Sequence, residues 1–307
     1  MKILLLGPNG QLGQAWSELS RSDGFPIGWT LMPGDRNTFD LSDPEGLRRA
    51  LVGLKPDVIV NAAAYTAVDR AEAESEICHR VNAESPRVIA DFCNRAGIAL
   101  VHYSSDYVYA GDLNSGSGPE PHVETEPYAP LNAYGRSKAA GDEAVLKSGA
   151  DALVFRTSWV YSHTGKNFVK TMRRLAGERP QLRIVADQIG APTYAPDLAR
   201  YSLEALMRAL ERKAEGRPFP TGVYHLCNSG YTSWAGFARA ILPQTTIQDI
   251  SSSEYPTPAQ RPLNSRLSLE KFERTFGVKP RPWQEALREC LEALETNEKM
   301  EPAHGSE

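Results

Sequence analysis

The feature that most constrains this sequence is a short apolar run followed directly by a glycine-rich turn. Residues 3–6 form the run, which is typical of a buried parallel strand. Gly7, Gly10 and Gly13 follow in the spacing G-x-x-G-x-x-G, and a helical pattern continues to residue 19. Strand, glycine turn and helix together predict a dinucleotide-binding unit, with pyrophosphate at the helix N-terminus. An ordinary strand-to-helix turn is the alternative interpretation.

The second predicted strand, residues 27–32, ends without the acidic residue that holds the ribose 2′-hydroxyl in a plain NAD site. Its end is followed by Arg36, whose guanidinium could pair with a 2′-phosphate. The sequence therefore favours NADPH over NADH, and NADH remains the alternative cofactor. A solvated loop charge is the alternative role for Arg36.

Further apolar runs alternate with helical patterns and predict an α/β fold with a doubly wound parallel sheet of the Rossmann type. These runs cover residues 57–61, 98–103 and 152–156. A stretch rich in Gly, Pro, Ser and Glu, residues 111–130, predicts a loop over the site.

Beyond this sheet the alternation becomes irregular, which predicts a smaller C-terminal α/β lobe that binds the substrate. The division expected is residues 1–165 for the Rossmann domain, which also takes parts of 190–228, and residues 166–190 and 229–295 for the lobe. The polar residues 296–307 are expected to be a disordered tail.

The composition excludes several classes of protein. A net charge of −4 and a pI near 5.9 give no basic surface for nucleic acid or an anionic membrane. The four cysteines and six histidines have no metal-ligand spacing, so we predict reduced thiols and no protein-bound metal. The N-terminal apolar run is too short for a signal peptide, and no run approaches the about 20 residues that span a bilayer. We therefore expect a cytoplasmic protein that is a monomer or a homodimer.

Tyr134 and Lys138 are the candidate acid–base pair. They lie four residues apart in a helical pattern, so they share one face of the helix. A tyrosine has a pKa of about 10, and a fixed ammonium favours its phenolate. The spacing predicts a tyrosine that Lys138 makes usable as a general acid. A solvated helix face is the alternative, which the spacing alone does not exclude.

Hydroxyl and aromatic residues follow the ends of two predicted strands. Ser104, Ser105 and Asp106 come after the fourth strand, and Trp159 comes after the fifth. In an open parallel sheet, ligands bind outside the carboxyl ends of the strands. These residues are therefore candidates for contact with a substrate, whereas simple strand termination is the alternative for the serines.

Several longer phrases are more specific than these signatures. They are Gly7-x-x-Gly10-Gln11-Leu12-Gly13, Asn61-Ala-Ala-Ala-Tyr65-Thr66-Ala67-Val68-Asp69, Ser104-Ser105-Asp106-Tyr107-Val108, Tyr134-Gly135-Arg136-Ser137-Lys138, Arg156-Thr157-Ser158-Trp159, Asp187-Gln188-x-Gly190-x-Pro192-Thr193 and Arg261-Pro262-x-Asn264-Ser265-Arg266. Their order resembles the extended short-chain dehydrogenase/reductase superfamily and, within it, the RmlD-like dTDP-4-dehydrorhamnose reductase family. The resemblance covers the chain to about residue 294.

The resemblance implies a role for each matching residue. Tyr134 would donate the proton, and Lys138 would be its partner and would bind the nicotinamide ribose. The residues implied to line the cofactor are Gly10, Gln11 and Leu12 at the pyrophosphate, Ala64, Tyr65 and Thr66 along its length, Asp40 and Leu41 beside the adenine, and Tyr103 on the nicotinamide side. The residues implied to contact the hexulose are Ser105, Asp106, Tyr134 and Trp159.

The sequence departs from the family at several points. The second strand lacks the acidic end that is frequent in the family, which leaves the choice between NADH and NADPH open. Ser105 stands where the family usually has threonine, which keeps the hydroxyl. Some relatives dimerise through a magnesium ion held by glutamates, and no glutamates here match them, so Mg²⁺ is not supported by the sequence.

The resemblance implies reduction of the C4 ketone of dTDP-4-dehydro-β-L-rhamnose by NADPH, with Ser105 bonded to the ketone oxygen. Two alternatives remain open. Another NAD(P)-dependent nucleotide-sugar reductase or epimerase would keep the Tyr-x-x-x-Lys pair. A non-catalytic regulatory subunit that binds NADP would resemble the same reductases.

Overall fold

The computed structural model describes residues 1–111 and 120–300. Part of the predicted loop (112–119) and the end of the predicted tail (301–307) lie outside the described residues. The strands are β1 (Lys2–Leu6), β2 (Thr30–Gly34), β3 (Val58–Asn61), β4 (Ala99–Ser105), β5 (Ala152–Thr157), β6 (Val160–Tyr161), β7 (Gln181–Val185), β8 (Ile189–Gly190), β9 (Thr193–Tyr194), β10 (Gly222–His225), β11 (Thr232–Ser233), β12 (Thr246–Ile250) and β13 (Asn264–Ser265).

The α-helices alternate with these strands in the first half of the chain. They are α1 (Gln11–Leu19), α2 (Pro44–Leu51), α3 (Ser75–His79), α4 (Ser85–Ala96), α5 (Ala133–Lys147), α6 (Phe168–Glu178), α7 (Ala195–Ala214), α8 (Trp234–Ile241), α9 (Glu270–Phe276) and α10 (Trp283–Met300). A π-helical turn, Arg80–Glu84, joins α3 to α4.

Six parallel strands form the main sheet in the order β10-β5-β4-β3-β1-β2. The order reverses direction between β1 and β3, as in doubly wound folds. This confirms the predicted α/β fold class. The sixth strand, β10, comes from the C-terminal half of the chain, and α7 packs against α1 beside the same sheet.

Side chains alternate between the two faces of the sheet because strand residues point in opposite directions in turn. On the face covered by α1 and α7, which we call the α1 face, the core includes Ile3, Leu5, Val101, Tyr103 and Phe155. On the other face, which we call the α5 face, the core packs against α2, α4 and α5. Its members include Leu4, Leu6, Ile59, Leu100 and Val154.

The C-terminal lobe is built from short strand pairs and three helices. β7 pairs with β12, and β8 lies between β11 and β13. Its core contains Met172, Phe237, Trp283 and Leu287 from α6, α8 and α10. No helix in the described part of the chain is long and apolar enough to cross a membrane.

Two boundaries differ from the sequence prediction. The second strand begins at Thr30 rather than at residue 27, because Ile27 is fully exposed before the turn at Gly28. It continues through Pro33, which an edge strand tolerates because no neighbour needs its N–H.

The expected tail is also wrong for residues 296–300, which are helical. α10 continues to Met300, and Arg173 pairs with Glu298 at 3.1 Å. Polar residues over that stretch are good helix formers, which composition alone does not distinguish from a disordered tail.

Candidate active site

The glycine turn after β1 has a shape that side chains would block. Gly7 has φ +79°, and a Cβ there would lie 2.8 Å from the backbone of Ala63. A Cβ on Gly13 would lie 2.0 Å from the carbonyl oxygen of Gly7. Gly7 and Gly13 therefore allow the turn to pack closely on the neighbouring backbone. Gly10 is exposed at the start of α1, where N–H groups and the helix dipole favour phosphate. These residues fit the pyrophosphate of a dinucleotide.

The second wall of the candidate cofactor site follows β3. Ala64, Tyr65 and Thr66 form it, and the Asn82 amide holds its centre. Asn82 accepts from the N–H of Tyr65 at 2.8 Å and donates to its carbonyl at 3.0 Å. It also donates to the Ser137 hydroxyl at 3.0 Å. Asn82 lies in the π-helical turn, a feature frequent at functional sites, and the sequence interpretation missed it.

Tyr134 and Lys138 are brought together on α5 by the Asn132 cap. The Asn132 side chain accepts from the Gly135 N–H at 2.8 Å, which starts the helix just before Tyr134. Tyr134 is partly buried and packs edge-to-face on Tyr107, with ring centroids 5.4 Å apart. Lys138 is buried, and its Nζ donates to the Tyr103 carbonyl at 2.6 Å.

The electrostatics of this pair differ from the sequence prediction. Burial raises the pKa of Tyr134 above its usual value, and the Ser105 hydroxyl only partly opposes the rise. Burial also lowers the pKa of Lys138 to about 8, against the opposing charge of Asp142. The predicted net lowering of the Tyr134 pKa is wrong for this structure, because burial outweighs the interactions that favour the phenolate. The ammonium is directed to a backbone carbonyl.

Ser105 and Asp106 lie at the carboxyl end of β4. The Ser105 hydroxyl donates to Asp106 at 2.9 Å and accepts from the Tyr107 N–H at 3.2 Å. Asp106 is buried, and burial raises its pKa to about 6, although interactions with Ser265 and Ser105 oppose the rise. Because Ser105 also interacts with Tyr134, a serine hydroxyl and a phenol converge at this strand end.

Trp159 is held in an unusual backbone conformation at the end of β5. Its φ is +47°, a region that residues other than glycine rarely adopt. Its ring stacks on Trp234 at 3.7 Å between centroids. A Cβ on Gly190 would lie 2.6 Å from the same ring, so only glycine fits there. Strain of this kind persists where the surroundings enforce it, often beside ligands.

Tyr103 reaches the acid–base pair through its backbone. Its ring lies on the α1 face, where its hydroxyl accepts from Trp16 Nε1 at 2.9 Å. Strand alternation separates it from His102 and Ser104, and only its carbonyl oxygen meets Lys138. Its ring is part of the core of the α1 face, and its expected place near the nicotinamide stays a prediction.

The predicted adenine end is more open. Arg36 is 78% exposed and its Nε lies 3.5 Å from Asp40. Burial raises the pKa of Asp40, but hydrogen bonds from Ser42 and the charge of Arg36 outweigh it, so the pKa is lowered overall. Leu41 is buried in the core of the α5 face.

A cavity of about 440 Å³ lies between the glycine turn, α1 and the end of β2, close to this adenine end. It includes the cation of Arg21 and the carboxylates of Glu18 and Asp35. The other lining residues are Pro8, Asn9, Gln14, Ser17 and Pro33.

The assembled groups can bind and protonate a carbonyl oxygen. Ser105 offers a hydroxyl, Tyr134 offers a protonated phenol, and Lys138 places an ammonium on the same helix face. Within residues 1–111 and 120–300, no group of His, Cys, Asp and Glu could hold a metal ion.

Comparisons with known proteins agree with one another. Residues 1–296 match the family described as the RmlD substrate binding domain. A dTDP-4-dehydrorhamnose reductase of Burkholderia thailandensis is 45% identical, over 96% of this chain and 99% of the relative.

Solved structures of similar proteins carry the same description. One from Clostridium acetobutylicum superimposes with a TM-score of 0.85 at 32% identity, over 96% of this chain and all of the other. One from Bacillus anthracis, in complex with NADP, has a TM-score of 0.82 at 32% identity, over 94% of this chain and 98% of that chain.

Proposed function

The chain belongs to the family of the RmlD substrate binding domain, and from this we propose that it is an NADPH-dependent dTDP-4-dehydrorhamnose reductase. It reduces the C4 ketone of dTDP-4-dehydro-β-L-rhamnose to dTDP-L-rhamnose, a precursor of cell-surface polysaccharide. The observation that carries the proposal is the convergence of Ser105 and Tyr134 at the carboxyl end of β4, one turn before Lys138. The activity of the relatives supports the choice of substrate.

The proposed cofactor site uses the glycine turn and the wall after β3. Gly7, Gly10, Gln11, Leu12 and Gly13 would hold the pyrophosphate on the N-terminus of α1. Ala64, Tyr65 and Thr66 would line the cofactor, with Arg36, Asp40 and Leu41 at its adenine end and Lys138 at the nicotinamide ribose. When bound, the nicotinamide supplies the hydride. The NADP complex of the Bacillus anthracis relative supports this cofactor.

The residues of the chain supply binding and the proton. Ser105 donates a hydrogen bond to the ketone oxygen, which requires its proton to turn away from Asp106. Tyr134 protonates that oxygen as negative charge develops on it. The raised pKa of Tyr134 keeps the phenol protonated at neutral pH, so the acid is available before each turnover. The charge on Lys138 stabilises the phenolate that remains.

The substrate would lie between the sheet edge and the C-terminal lobe. Trp159 would pack on the sugar with the ring surface that Trp234 does not cover, and Asp106 would contact it through Ser105. We assign residues 166–190 and 229–295 to the substrate-binding lobe, and the remaining residues up to 228 to the cofactor domain. We place the reaction in the cytoplasm, with the protein acting alone or as a homodimer.

The test is NADPH oxidation, followed by absorbance, with dTDP-4-dehydro-β-L-rhamnose supplied. We expect Tyr134→Phe to reduce turnover by about 10²-fold or more while NADPH affinity stays within about twofold. Tyr224→Phe is the matched control, because Tyr224 lies in the core of the α1 face and its hydroxyl donates to the Pro220 carbonyl at 2.8 Å; its turnover should equal that of the original protein.

Two results would contradict the proposal. Near-normal turnover in Tyr134→Phe would remove Tyr134 as the acid. Folded protein that binds NADPH but oxidises none with this substrate would reject the reductase. Nicotinamide retained through purification would then favour an epimerase, and its absence would favour a non-catalytic NADP-binding protein.

A further inference from the structure

A buried carboxylate lies one helical turn beyond the acid–base pair. Tyr134, Lys138 and Asp142 follow one another at intervals of four residues on α5, so they share one face. Asp142 has no exposed surface, and the proposed chemistry does not use it. A buried carboxylate is costly unless it is paired.

Arg156 on β5 anchors this carboxylate. Its Nε donates to Asp142 at 2.9 Å, and its Nη1 donates to the Tyr109 hydroxyl at 2.5 Å. Its guanidinium also lies over the rings of Tyr109 and Tyr128, at 5.0 and 4.7 Å from their centroids. Arg156 is itself 2% exposed, so both charges of the pair are fixed in position.

Only one oxygen of Asp142 is committed to Arg156. No hydrogen bond of normal geometry reaches Oδ1 from any described residue. Burial raises the pKa of Asp142 overall, and the charge of Arg156 and the nearby Ser104 hydroxyl oppose the rise. Lys138 also lowers the pKa of Asp142, and Asp142 in turn raises that of Lys138. The two charges therefore act on each other along the buried face of α5.

Cys78 is the second group whose negative charge would raise the pKa of Lys138, after Asp142, but near pH 7 it does not carry that charge. Burial raises the pKa of Cys78 from α3 and lowers that of His102 from β4, so both are neutral near pH 7. Burial raises the pKa of Tyr128 to about 12, and Asp106 faces Tyr134 from the end of β4. Arg156 from β5 is positive. Asp142 is the anion that acts on Lys138.

We propose that Asp142, held by Arg156 one helical turn from Lys138, is a positioning residue for the acid–base pair: its carboxylate favours the charged form of Lys138, whose Nζ is fixed on the Tyr103 carbonyl. The inference rests on the proposed function, because it concerns the same proton transfer. It adds a second ion pair to the site, in which Arg156 and Asp142 act through Lys138 and touch neither substrate nor cofactor.

The decisive variant is Asp142→Asn, which keeps the shape and removes the charge. Loss of the carboxylate makes protonated Lys138 less favourable, so the alkaline limb of the kcat–pH profile should move to lower pH by about one unit. Turnover at about pH 8, near the pKa of Lys138, should fall about fivefold. Asp142→Glu keeps the charge and should restore most of the shift.

The matched control is Asp197→Asn. Asp197 is also buried and accepts from an arginine Nε, that of Arg281, at 2.7 Å. It lies on α7, on the opposite side of the sheet from Lys138. Its loss should lower the melting temperature without moving the pH profile.

The pH dependence of NADPH affinity gives a readout independent of turnover, because Lys138 is expected to bind the nicotinamide ribose. Affinity in Asp142→Asn should weaken at a lower pH than in the original protein. If the protein reduces no nucleotide sugar, the proposed function fails while this measurement still tests Asp142.

A purely structural Asp142 would overturn the inference. In that case Asp142→Asn would lose thermal stability as Asp197→Asn does, and both pH profiles would coincide with those of the original protein. If Asp142→Asn does not fold, the double variant Asp142→Asn/Arg156→Met removes both buried charges, a change that proteins often tolerate. It should show the same shift at a smaller size, and an unmoved alkaline limb would reject the inference.

Discussion

The two faces of the main sheet differ in the polarity of their buried side chains. On the α1 face, apolar side chains continue along the strands, and Trp16 and Tyr103 satisfy each other by one hydrogen bond. On the α5 face, the same strands change to Asn61, His102, Ser104 and Arg156 near their carboxyl ends, all of them buried. The α1 face thus mainly stabilises the fold, whereas the α5 face holds the buried polar residues around the proposed acid–base pair.

This difference teaches where burial is favourable and where it is costly. Burial of Trp16 stabilises the fold, because its large ring leaves water and its N–H keeps a partner. Burial of Lys138 is unfavourable, as its lowered pKa indicates. The α5 face retains these charges because the proposed proton transfer needs them, a form of the conflict between stability and activity.

The largest expected effect is that of Lys138→Met on the α5 face. Turnover should fall by about 10³-fold, because the phenolate of Tyr134 loses its ammonium. Between about pH 7 and about pH 10, the unfolding free energy of the original protein should rise by about 2–3 kcal/mol relative to that of the variant. The folded Lys138 releases its proton near pH 8, whereas an unfolded lysine releases it near pH 10.4, so the unfolded state binds more protons in this window.

Denaturant unfolding at several pH values measures this prediction. Comparison with the variant removes the contribution of Cys93, Cys227 and Cys290, because burial raises their pKa to about 12 in a part of the fold that the substitution leaves unchanged. A difference that stays constant with pH would mean that the Lys138 pKa is not depressed.

The next effect is that of Trp16→Ala on the α1 face. Removal of a fully buried tryptophan should destabilise the protein by about 3–5 kcal/mol. The kcat–pH profile of the remaining folded protein should not move, because Trp16 lies across the sheet from Lys138. Urea unfolding and the pH profile together check it, with Trp16→Phe as a milder control. A shifted alkaline limb in Trp16→Ala would contradict the expectation that the α1 face does not affect the titration of Lys138.

The smallest effect concerns Arg36, which belongs to neither face. Because its side chain is exposed, its pair with a 2′-phosphate should be worth about 1 kcal/mol. Arg36→Ala should therefore raise KM for NADPH about fivefold and leave KM for NADH unchanged. Arg21→Ala is the rival variant, since Arg21 lines the cavity at the adenine end. A larger rise in KM for NADPH in Arg21→Ala than in Arg36→Ala would mean that Arg21, rather than Arg36, pairs with the 2′-phosphate.

The cofactor half could be predicted from the sequence because its signals are local. The run at 3–6, the glycine spacing and the alternation of strands with helices each depend on neighbouring residues, and the parallel sheet follows from them. Tyr134 and Lys138 were recognisable for the same reason, since four residues make one helical turn.

Other parts of the site depend on contacts between distant residues. Asn82 bonds to Tyr65, 17 residues before it, and to Ser137, 55 residues after it. No local spacing in the sequence predicts such bonds. The stack of Trp159 on Trp234 is equally distant in sequence. The side of the sheet on which Tyr103 lies depends on strand register, and a shift of one residue would reverse it. The depressed pKa of Lys138 depends on burial, which the Tyr-x-x-x-Lys spacing does not contain.

The position of β10 has a consequence for how the chain can be divided. This strand pairs with β5 in the main sheet, yet it is made only after α6, α7 and β7–β9 have left the ribosome. A fragment ending near residue 165 would expose the edge of β5, a row of unpaired backbone groups open to association with other chains. The nascent chain must likewise wait for residue 225 before its first sheet is complete. The cofactor domain is continuous in space but interrupted in sequence, so the two lobes should be synthesised, inherited and lost together.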